Sequence, residues 1–422
     1  MDRPQLSKRI PQVKGLQCVI CGIVYSLDDV IYTCPTCGEV GTLDVIFHAA
    51  DTSTPRTANL WEEDRFLPLA ADMPKPTQTI PLQIGGTPYY PAFERSDVRW
   101  HKRPFAIKDD GKNPTGSFKD RASAMVVHHA LTMGAFTVAT ASTGNAAAAL
   151  AGMCAANGQV QAVIFVPASA PQAKITQLLI YGAKVVLVDG VYDTAFDLCT
   201  AACQEFGWYN RSTGINPFTS EGKKTIAWEI AFSGDALPDV ILVSAGDGSI
   251  IAGVYKGFSD LKALGWIDRI PRLIGVQAAG SDALAFAWEN NLDSREMLPR
   301  PANTLADSIS AGLPRDRAKA LRAVRQSNGA YVRVTDDQIL AAIPELAQRT
   351  GIFAEPAAAA TFAGWQVALA NGQLDPGERA LLLLTGNGLK DINSAMKSVP
   401  QTLQPIPPNL DAVRKALGDF TT

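Results

Sequence analysis

From Phe105 onward the chain alternates between two apolar patterns. Short apolar runs bounded by turn residues read as strands: Phe105–Lys108, Thr137–Thr140, Val160–Val166, Lys184–Val188, Val240–Val243, Leu273–Val276 and Ala380–Leu384. Between them lie longer segments with apolar positions at helical spacing. These are Lys119–Met133, Ala146–Ala156, Pro171–Tyr181, Val191–Phe206, a stretch ending at Leu264, Asp316–Gln326, Asp336–Arg349 and Glu355–Ala370. Gly134, Gly158, Gly182 and Gly207 stand where such helices stop. The alternation predicts an α/β fold of two doubly wound units, with mostly parallel sheets covered by helices on both faces. Ligands of such sheets sit at the carboxyl ends of the strands. The expected units are residues 1–50, a smaller α/β unit at 131–209, and a larger one made of 51–130 and 210–422.

Composition narrows the class. With 422 residues, 47% hydrophobic and 19% charged, the chain can bury a large core. A net charge of -3 gives no general attraction to nucleic acid or a membrane surface. The longest apolar stretch, Ala146–Ala156, is too short to span a bilayer. No apolar run follows the basic residues of Met1–Ile10, so no secretory signal is expected. The seven cysteines are an odd set, four of them grouped, which fits a reducing, cytoplasmic compartment.

The grouped cysteines carry the first chemical signal. Within Leu16–Phe47, Cys18-Val-Ile-Cys21 and Cys34-Pro-Thr-Cys37 are separated by twelve residues, and Gly22 and Gly38 follow the two pairs. Two such knuckles can present four thiolates to a tetrahedral, closed and therefore structural zinc site. A redox pair is the competing reading. Nucleic-acid binding is disfavoured, because Lys14 stands against Asp28, Asp29, Glu39 and Asp44. A proline-rich connector, Asp51–Pro91, follows.

Four loops carry the rest. Asn113-Pro-Thr-Gly-Ser-Phe-Lys-Asp-Arg121 puts Lys119 after a turn, at the start of a helix. A lysine so tethered can form a Schiff base with a carbonyl cofactor and later carry a proton. Ala141-Ser142-Thr143-Gly144-Asn145 precedes an alanine-rich helix and can receive a carboxylate. Ser244-Ala245-Gly246-Asp247-Gly248-Ser249 can turn backbone amides on a phosphate, although Asp247 must turn away. It is neither a dinucleotide fingerprint nor a Walker loop, so NAD and ATP are poorly supported. Thr385-Gly-Asn-Gly-Leu-Lys-Asp391 places a hydroxyl directly after a buried strand. Each loop alone also reads as an ordinary cap, turn or solvated lysine.

In this order the loops, with Glu221-Gly-Lys-Lys-Thr225 and Glu355-Pro356-Ala357, resemble the threonine synthases. These are pyridoxal 5'-phosphate enzymes of the tryptophan-synthase-β fold type, some with an N-terminal zinc-ribbon-like segment. The resemblance covers about Pro81 to Ala395. It implies that Lys119 is the Schiff-base lysine, that Phe118 packs beside the ring and that Asn145 bonds the cofactor's phenolic oxygen. It implies that Gly246, Asp247, Gly248, Ser249 and Ile250 cradle the cofactor phosphate and that Thr385 faces the pyridine nitrogen. Ser142 and Thr143 would hold the substrate carboxylate, and Lys174 could meet an anion. The implied reaction is conversion of O-phosphohomoserine and water to threonine and phosphate, a lyase step in amino-acid biosynthesis. The implied partners are a small amino-acid substrate and, as is usual for such enzymes, a second copy of the chain in a homodimer.

One departure leaves the substrate open. Relatives commonly read Asn-Pro-x-Arg before the Glu-Gly-x-Lys-Thr segment, with the arginine on the substrate phosphate. Here Asn216-Pro217-Phe218-Thr219 puts a threonine there, and a hydroxyl cannot replace a charged fork. Gly214 and Ala146 also stand where hydroxyls are common, and Lys223 and Lys224 are candidates to compensate. The alternative is β-elimination or β/γ-replacement on another amino acid, as in threonine/serine dehydratases or cysteate synthases. A zinc-ribbon binding protein with a dead enzyme domain is disfavoured by the intact Lys119, Asn145 and Thr385.

Overall fold

A computed structural model describes residues 5–30, 32–48, 59–63, 65–91, 105–399 and 404–417. Its centre is a six-stranded sheet in the order Ala330–Val334, Arg272–Ala278, Val240–Ser244, Ala380–Leu384, Phe105–Asp109 and Tyr89–Tyr90. All neighbours run parallel except the last pair. Val240–Ser244 and Ala380–Leu384 are buried along their whole length. They read as unbroken apolar runs because helices cover both faces of the sheet. A second, wholly parallel sheet has the order Lys184–Val188, Gln161–Pro167, Thr137–Ala141 and Tyr209–Asn210. The fold is α/β with mostly parallel sheets, as expected.

The pairing register brings the site together. Ser244 pairs with Val276 and Leu384 with Asp109, so the loops after residues 109, 244 and 384 leave one edge of the large sheet. The helix Lys119–Thr132 packs on the helix Asn145–Asn157, which follows the Thr137–Ala141 strand of the second sheet. The carboxyl edges of both sheets therefore serve one cleft.

Several elements lie beyond the expected set. Ala330–Val334 is a strand with Arg333 in it, and Tyr209–Asn210 is a two-residue strand. Phe218–Lys223 and Thr225–Ala231 are helices broken by a turn at Lys224, too short for a periodic signal. At the N-terminus Val24–Tyr25, Val13–Cys18 and Leu43–Phe47 form an antiparallel three-stranded sheet. Of the proline-rich connector, residues 51–58 (with Pro55) and 64 lie outside the described residues. In the rest, the 66–70 stretch packs inward: Phe66 meets Trp266 edge-on at 5.3 Å, and Leu67 and Leu69 are buried. Among the described residues no helix is long and apolar enough to cross a membrane.

Candidate active site

Lys119 is the first residue of the helix Lys119–Thr132, and the loop before it is tightly built. Asn113 accepts from the Gly85 amide at 2.9 Å and donates to the Asp110 carbonyl at 3.0 Å. Asp120 accepts from the Thr115 amide at 2.7 Å. Gly116 has φ +81°, which a side chain would resist. The 385–387 loop clasps this turn: Phe118 N donates to Thr385 O at 2.9 Å and Asn387 N to Gly116 O at 3.0 Å. Phe118 is fully buried. Lys119 is half-buried. Burial, then the nearby Arg211 charge, push its amine down to about 8, against the pull of Asp247, Glu355 and Asp316.

Beyond Lys119 lies the start of the helix Ser249–Ala263. No group among the described residues accepts from the amides of Gly246 to Ile250. They stand at a positive helix end suited to an anion. A Cβ on Gly246 would lie 2.7 Å from the Ile309 Cα, and Gly248 takes φ +82°. Asp247 is turned to the 315–316 segment: its carboxylate accepts from Arg315 N at 3.2 Å, and its carbonyl from Asp316 N at 3.1 Å. Burial raises the Asp247 carboxyl, Asp316 adds to this, and Arg315 and Lys119 oppose it.

The third wall is the 141–145 loop. Ser142 Oγ accepts from Gly144 N at 3.2 Å, and Asn145 opens the helix Asn145–Asn157. Asn145 Nδ2 donates to Glu355 Oε1 at 2.7 Å. Thr143, Asn145, Glu355, Lys390 and Lys174 line a common cavity. Lys174 makes an ion pair with Asp307 at its mouth. Thr385 is buried, its hydroxyl 3.5 Å from that of Ser244. Thr143, Asn145 and Lys174 thus line one cavity, Phe118 and Thr385 are joined through their backbones, and Lys119 lies within electrostatic reach of Asp247 and Glu355.

Two residues escaped the sequence reading as site members. Glu355 was visible only as part of a motif, and its hold on Asn145 needs the fold. Arg211, in an Asn-Arg-Ser-Thr-Gly loop, gave no signal, because such a residue reads as solvated. It is fully buried. At the position expected to hold an arginine, Thr219 Oγ1 donates to Asn216 O at 2.8 Å. Lys224 is engaged elsewhere, with Glu221 at 2.5 Å and Asp260 at 2.9 Å. Lys223 is fully buried, and its Nζ donates to Thr219 Oγ1 at 3.3 Å.

At the N-terminus the ligand atoms of Cys18, Cys21, Cys34 and Cys37 all lie within 4.8 Å of one another. The Cys21 and Cys34 sulfurs are 3.8 Å apart. A tetrahedron with Zn–S bonds of about 2.3 Å has edges of about 3.8 Å. The Ile20 and Cys37 amides point at the Cys18 and Cys34 sulfurs, both at 3.4 Å. Gly22 and Gly38, at φ +75° and +64°, close the turns behind them.

A half-buried lysine with a lowered pKa and a run of free amides at a helix start fit pyridoxal phosphate. The chain belongs to the pyridoxal-phosphate-dependent enzymes: the family model described as "Pyridoxal-phosphate dependent enzyme" matches residues 80–386. Within that family it is a lyase similar to threonine synthases. The threonine synthase of Methanosarcina acetivorans is 37% identical over 410 residues, 95% of this chain and 98% of that protein. That of Methanocaldococcus jannaschii is 34% identical over 398 residues, 92% of this chain and 96% of that protein. Among solved structures, diaminopropionate ammonia lyase from Escherichia coli aligns with a TM-score of 0.63 at 18% identity, covering 77% of this chain and 89% of that one. Maize serine racemase aligns with a TM-score of 0.62 at 20% identity, covering 76% and 94%. These two establish the fold alone, the type II fold of pyridoxal-phosphate enzymes.

Proposed function

We propose that this enzyme converts O-phosphohomoserine and water to threonine and phosphate. The observation that supports it most is the likeness to threonine synthases along 95% of the chain. The placement of Lys119 within reach of Glu355, which holds Asn145, agrees with it.

Bound pyridoxal phosphate would supply an electron sink that makes the protons on the substrate's α- and β-carbons removable. Lys119 would hold the cofactor and then serve as the base, its Nζ taking the proton from the α-carbon and helping to move one at the β-carbon. A pKa near 8 leaves part of the amine neutral at physiological pH, as a base requires. The amides of Gly246, Asp247, Gly248, Ser249 and Ile250 would bind the cofactor phosphate, and Asp247 is already turned away from it. Phe118 would support the ring. Asn145, aimed by Glu355, would donate to the phenolic oxygen. Thr385 would face the pyridine nitrogen with a neutral hydroxyl, which does not stabilise a protonated ring as a carboxylate would. Ser142 and Thr143 would hold the substrate carboxylate. Phosphate leaves the γ-carbon, which takes up a proton to end as the methyl group, the β-carbon gives up one proton and gains the hydroxyl of water, and the α-carbon regains its proton, so the atoms balance. We also propose that Cys18, Cys21, Cys34 and Cys37 hold a structural zinc ion.

The test is a product assay with O-phosphohomoserine, O-phosphoserine, threonine and serine in parallel. Threonine and phosphate formed from the first alone is the expected result. Pyruvate or 2-oxobutyrate from the others, with no turnover of the first, would favour the elimination chemistry that Thr219 left open.

A further inference from the structure

We infer that Arg211 and Lys223 form an anion site beside Lys119 that takes the phosphate of a phosphorylated amino acid, in place of the arginine absent at Thr219. The inference rests on the function proposed above for the identity of the anion. It stands on how the fold treats its other buried cations.

Lys108 lies 2.7 Å from Glu229, and Arg121 lies 2.6 Å from Asp110. Lys224 and Lys256 share Asp260, at 2.9 and 2.6 Å. Lys319 reaches Asp44 at 3.3 Å. A charge withdrawn from water needs such a partner. Arg211 and Lys223 are both fully buried, yet neither forms an ion pair among the described residues. Among the described residues the Arg211 guanidinium donates only to hydroxyls: to Ser123 Oγ at 3.4 Å and to Thr213 Oγ1 at 3.2 Å. Among the described residues Lys223 Nζ donates only to Thr219 Oγ1, at 3.3 Å. A guanidinium has five N–H groups and an ammonium three, so donors on both remain unused.

The two cations come from different elements, and both lie against the helix of Lys119: Arg211 reaches Ser123, one turn along it, and Gly222, next to Lys223, packs on the Arg121 backbone. Arg211 follows the strand Tyr209–Asn210 of the second sheet. Lys223 ends the helix Phe218–Lys223, which packs on the helix of Lys119. The Arg211 charge bears on both Lys119 and Lys223, and that of Lys119 bears on Lys223. The acidic groups that face the cluster are Asp120 toward Arg211, Asp316 toward Lys223, and Asp247, Glu355 and Asp316 toward Lys119, and among the described residues none forms an ion pair with Arg211 or Lys223. Tyr192 also faces Arg211. The cofactor phosphate has its own nest of amides at Gly246 to Ile250, so two further cations suit a second dianion. Thr219 keeps a role as the hydroxyl that holds Lys223.

The test is calorimetric titration of the purified holoenzyme with inorganic phosphate, in the wild type, Arg211→Gln, Lys223→Gln and Lys223→Arg. The wild type should bind phosphate in competition with O-phosphohomoserine. Each glutamine variant should bind it about tenfold or more weakly, as expected for losing a charge-assisted contact. KM for O-phosphohomoserine should rise more than kcat falls. The visible absorbance of the cofactor should persist, and Lys223→Arg should regain most of the affinity. No phosphate binding by the wild type, or equal binding by all variants, overturns the site. Loss of the cofactor absorbance in both glutamine variants overturns it differently, by making the cofactor's own phosphate the anion. A wild type that binds phosphate without converting O-phosphohomoserine refutes the proposed reaction and leaves the anion site standing.

Discussion

Asn145 and Glu355, 210 positions apart in sequence, are joined by a 2.7 Å hydrogen bond from Nδ2 to Oε1. Both are buried. The Glu355 carboxyl is raised by burial, while Asn145, Lys390, Lys119 and Lys174 counter it. Gly386 is part of the same arrangement, because a Cβ there would lie 2.2 Å from Glu355 Oε1. Glu355 therefore fixes which way the Asn145 amide points, and with it the donor offered to the cleft.

Glu355→Ala should lower kcat about tenfold and stability by about 1–3 kcal/mol, since it leaves a buried donor without its acceptor. Glu355→Gln keeps an acceptor oxygen and should stay within about threefold of the wild type. Steady-state kinetics and thermal melts of both variants check this. Equal loss in the two would mean that the charge, not the aim of Asn145, is what matters.

The lowered Lys119 amine predicts a pH profile. Neutral amine increases with pH, so capture of pyridoxal phosphate by the apoenzyme should accelerate as pH rises and level off near pH 8. An unperturbed lysine would keep accelerating to beyond pH 10. After burial, the Arg211 charge does most to lower this amine, so Arg211→Gln should move the plateau to higher pH. Stopped-flow absorbance between pH 6 and 10 is the measurement; a plateau unmoved by the substitution would contradict the assigned cause.

The helix carrying Thr219 and Lys223 depends on close approach. A Cβ on Gly222 would lie 2.1 Å from the Arg121 carbonyl oxygen and 2.7 Å from its carbon. Backbone cannot yield as a flexible side chain can. Gly222→Ala should cost at least about 3 kcal/mol, the upper end for overpacking. Gly377→Ala, which would meet only Asp375 Oδ1 at 3.4 Å, should change stability by less than about 0.5 kcal/mol. Denaturant melts of the two variants compare them directly.

Much of this was legible in the chain. Ala380–Leu384 and Val240–Val243 announced themselves as buried strands, because a strand covered on both faces must be apolar throughout. The Asn113–Arg121 turn was legible because Pro114 and Gly116 force it. Ala330–Val334 was not, because Arg333 sits in it and pairs with Asp282 and Glu289 on neighbouring elements. Arg211 was hidden for the same reason in reverse. Its loop looks solvated, and only the packing of the second sheet on the Lys119 helix buries it. Residue type reveals a strand or a turn, whereas burial of a single charge is decided by tertiary contacts.

Lys174 offers a separation of roles. Its ion pair with Asp307 is partly exposed, so it should contribute little to stability. Lys174→Ala and Asp307→Asn should both leave the melting temperature almost unchanged. If Lys174 meets the substrate's anionic end, Lys174→Ala should raise KM about tenfold, while Asp307→Asn frees the lysine and should leave KM equal or lower. Similar KM values in both variants would leave Lys174 no part in binding.

The cysteine cluster is tied to the rest of the molecule through Asp44. Burial would raise this carboxyl, but Lys319, Arg322 and Lys256 hold it well below the usual carboxylate range. Asp44 lies in the strand Leu43–Phe47, and Lys319 also donates to the Leu43 carbonyl at 2.6 Å. Cys18 pairs with Leu43, next to Asp44, so the cysteine cluster and these ion pairs meet at one end of the small sheet. Elemental analysis should find one zinc per chain, and Cys34→Ser should abolish it. Because binding energy at such a site is folding energy, the variant should be cleaved by protease within residues 16–47 on the order of ten times faster. The cofactor absorbance should be retained, since Lys119 and the 246–250 loop are built on other elements. A metal-free wild type with the same protease resistance would leave the cysteines no structural role, and loss of the cofactor with the zinc would mean that the two sites are coupled through Lys319.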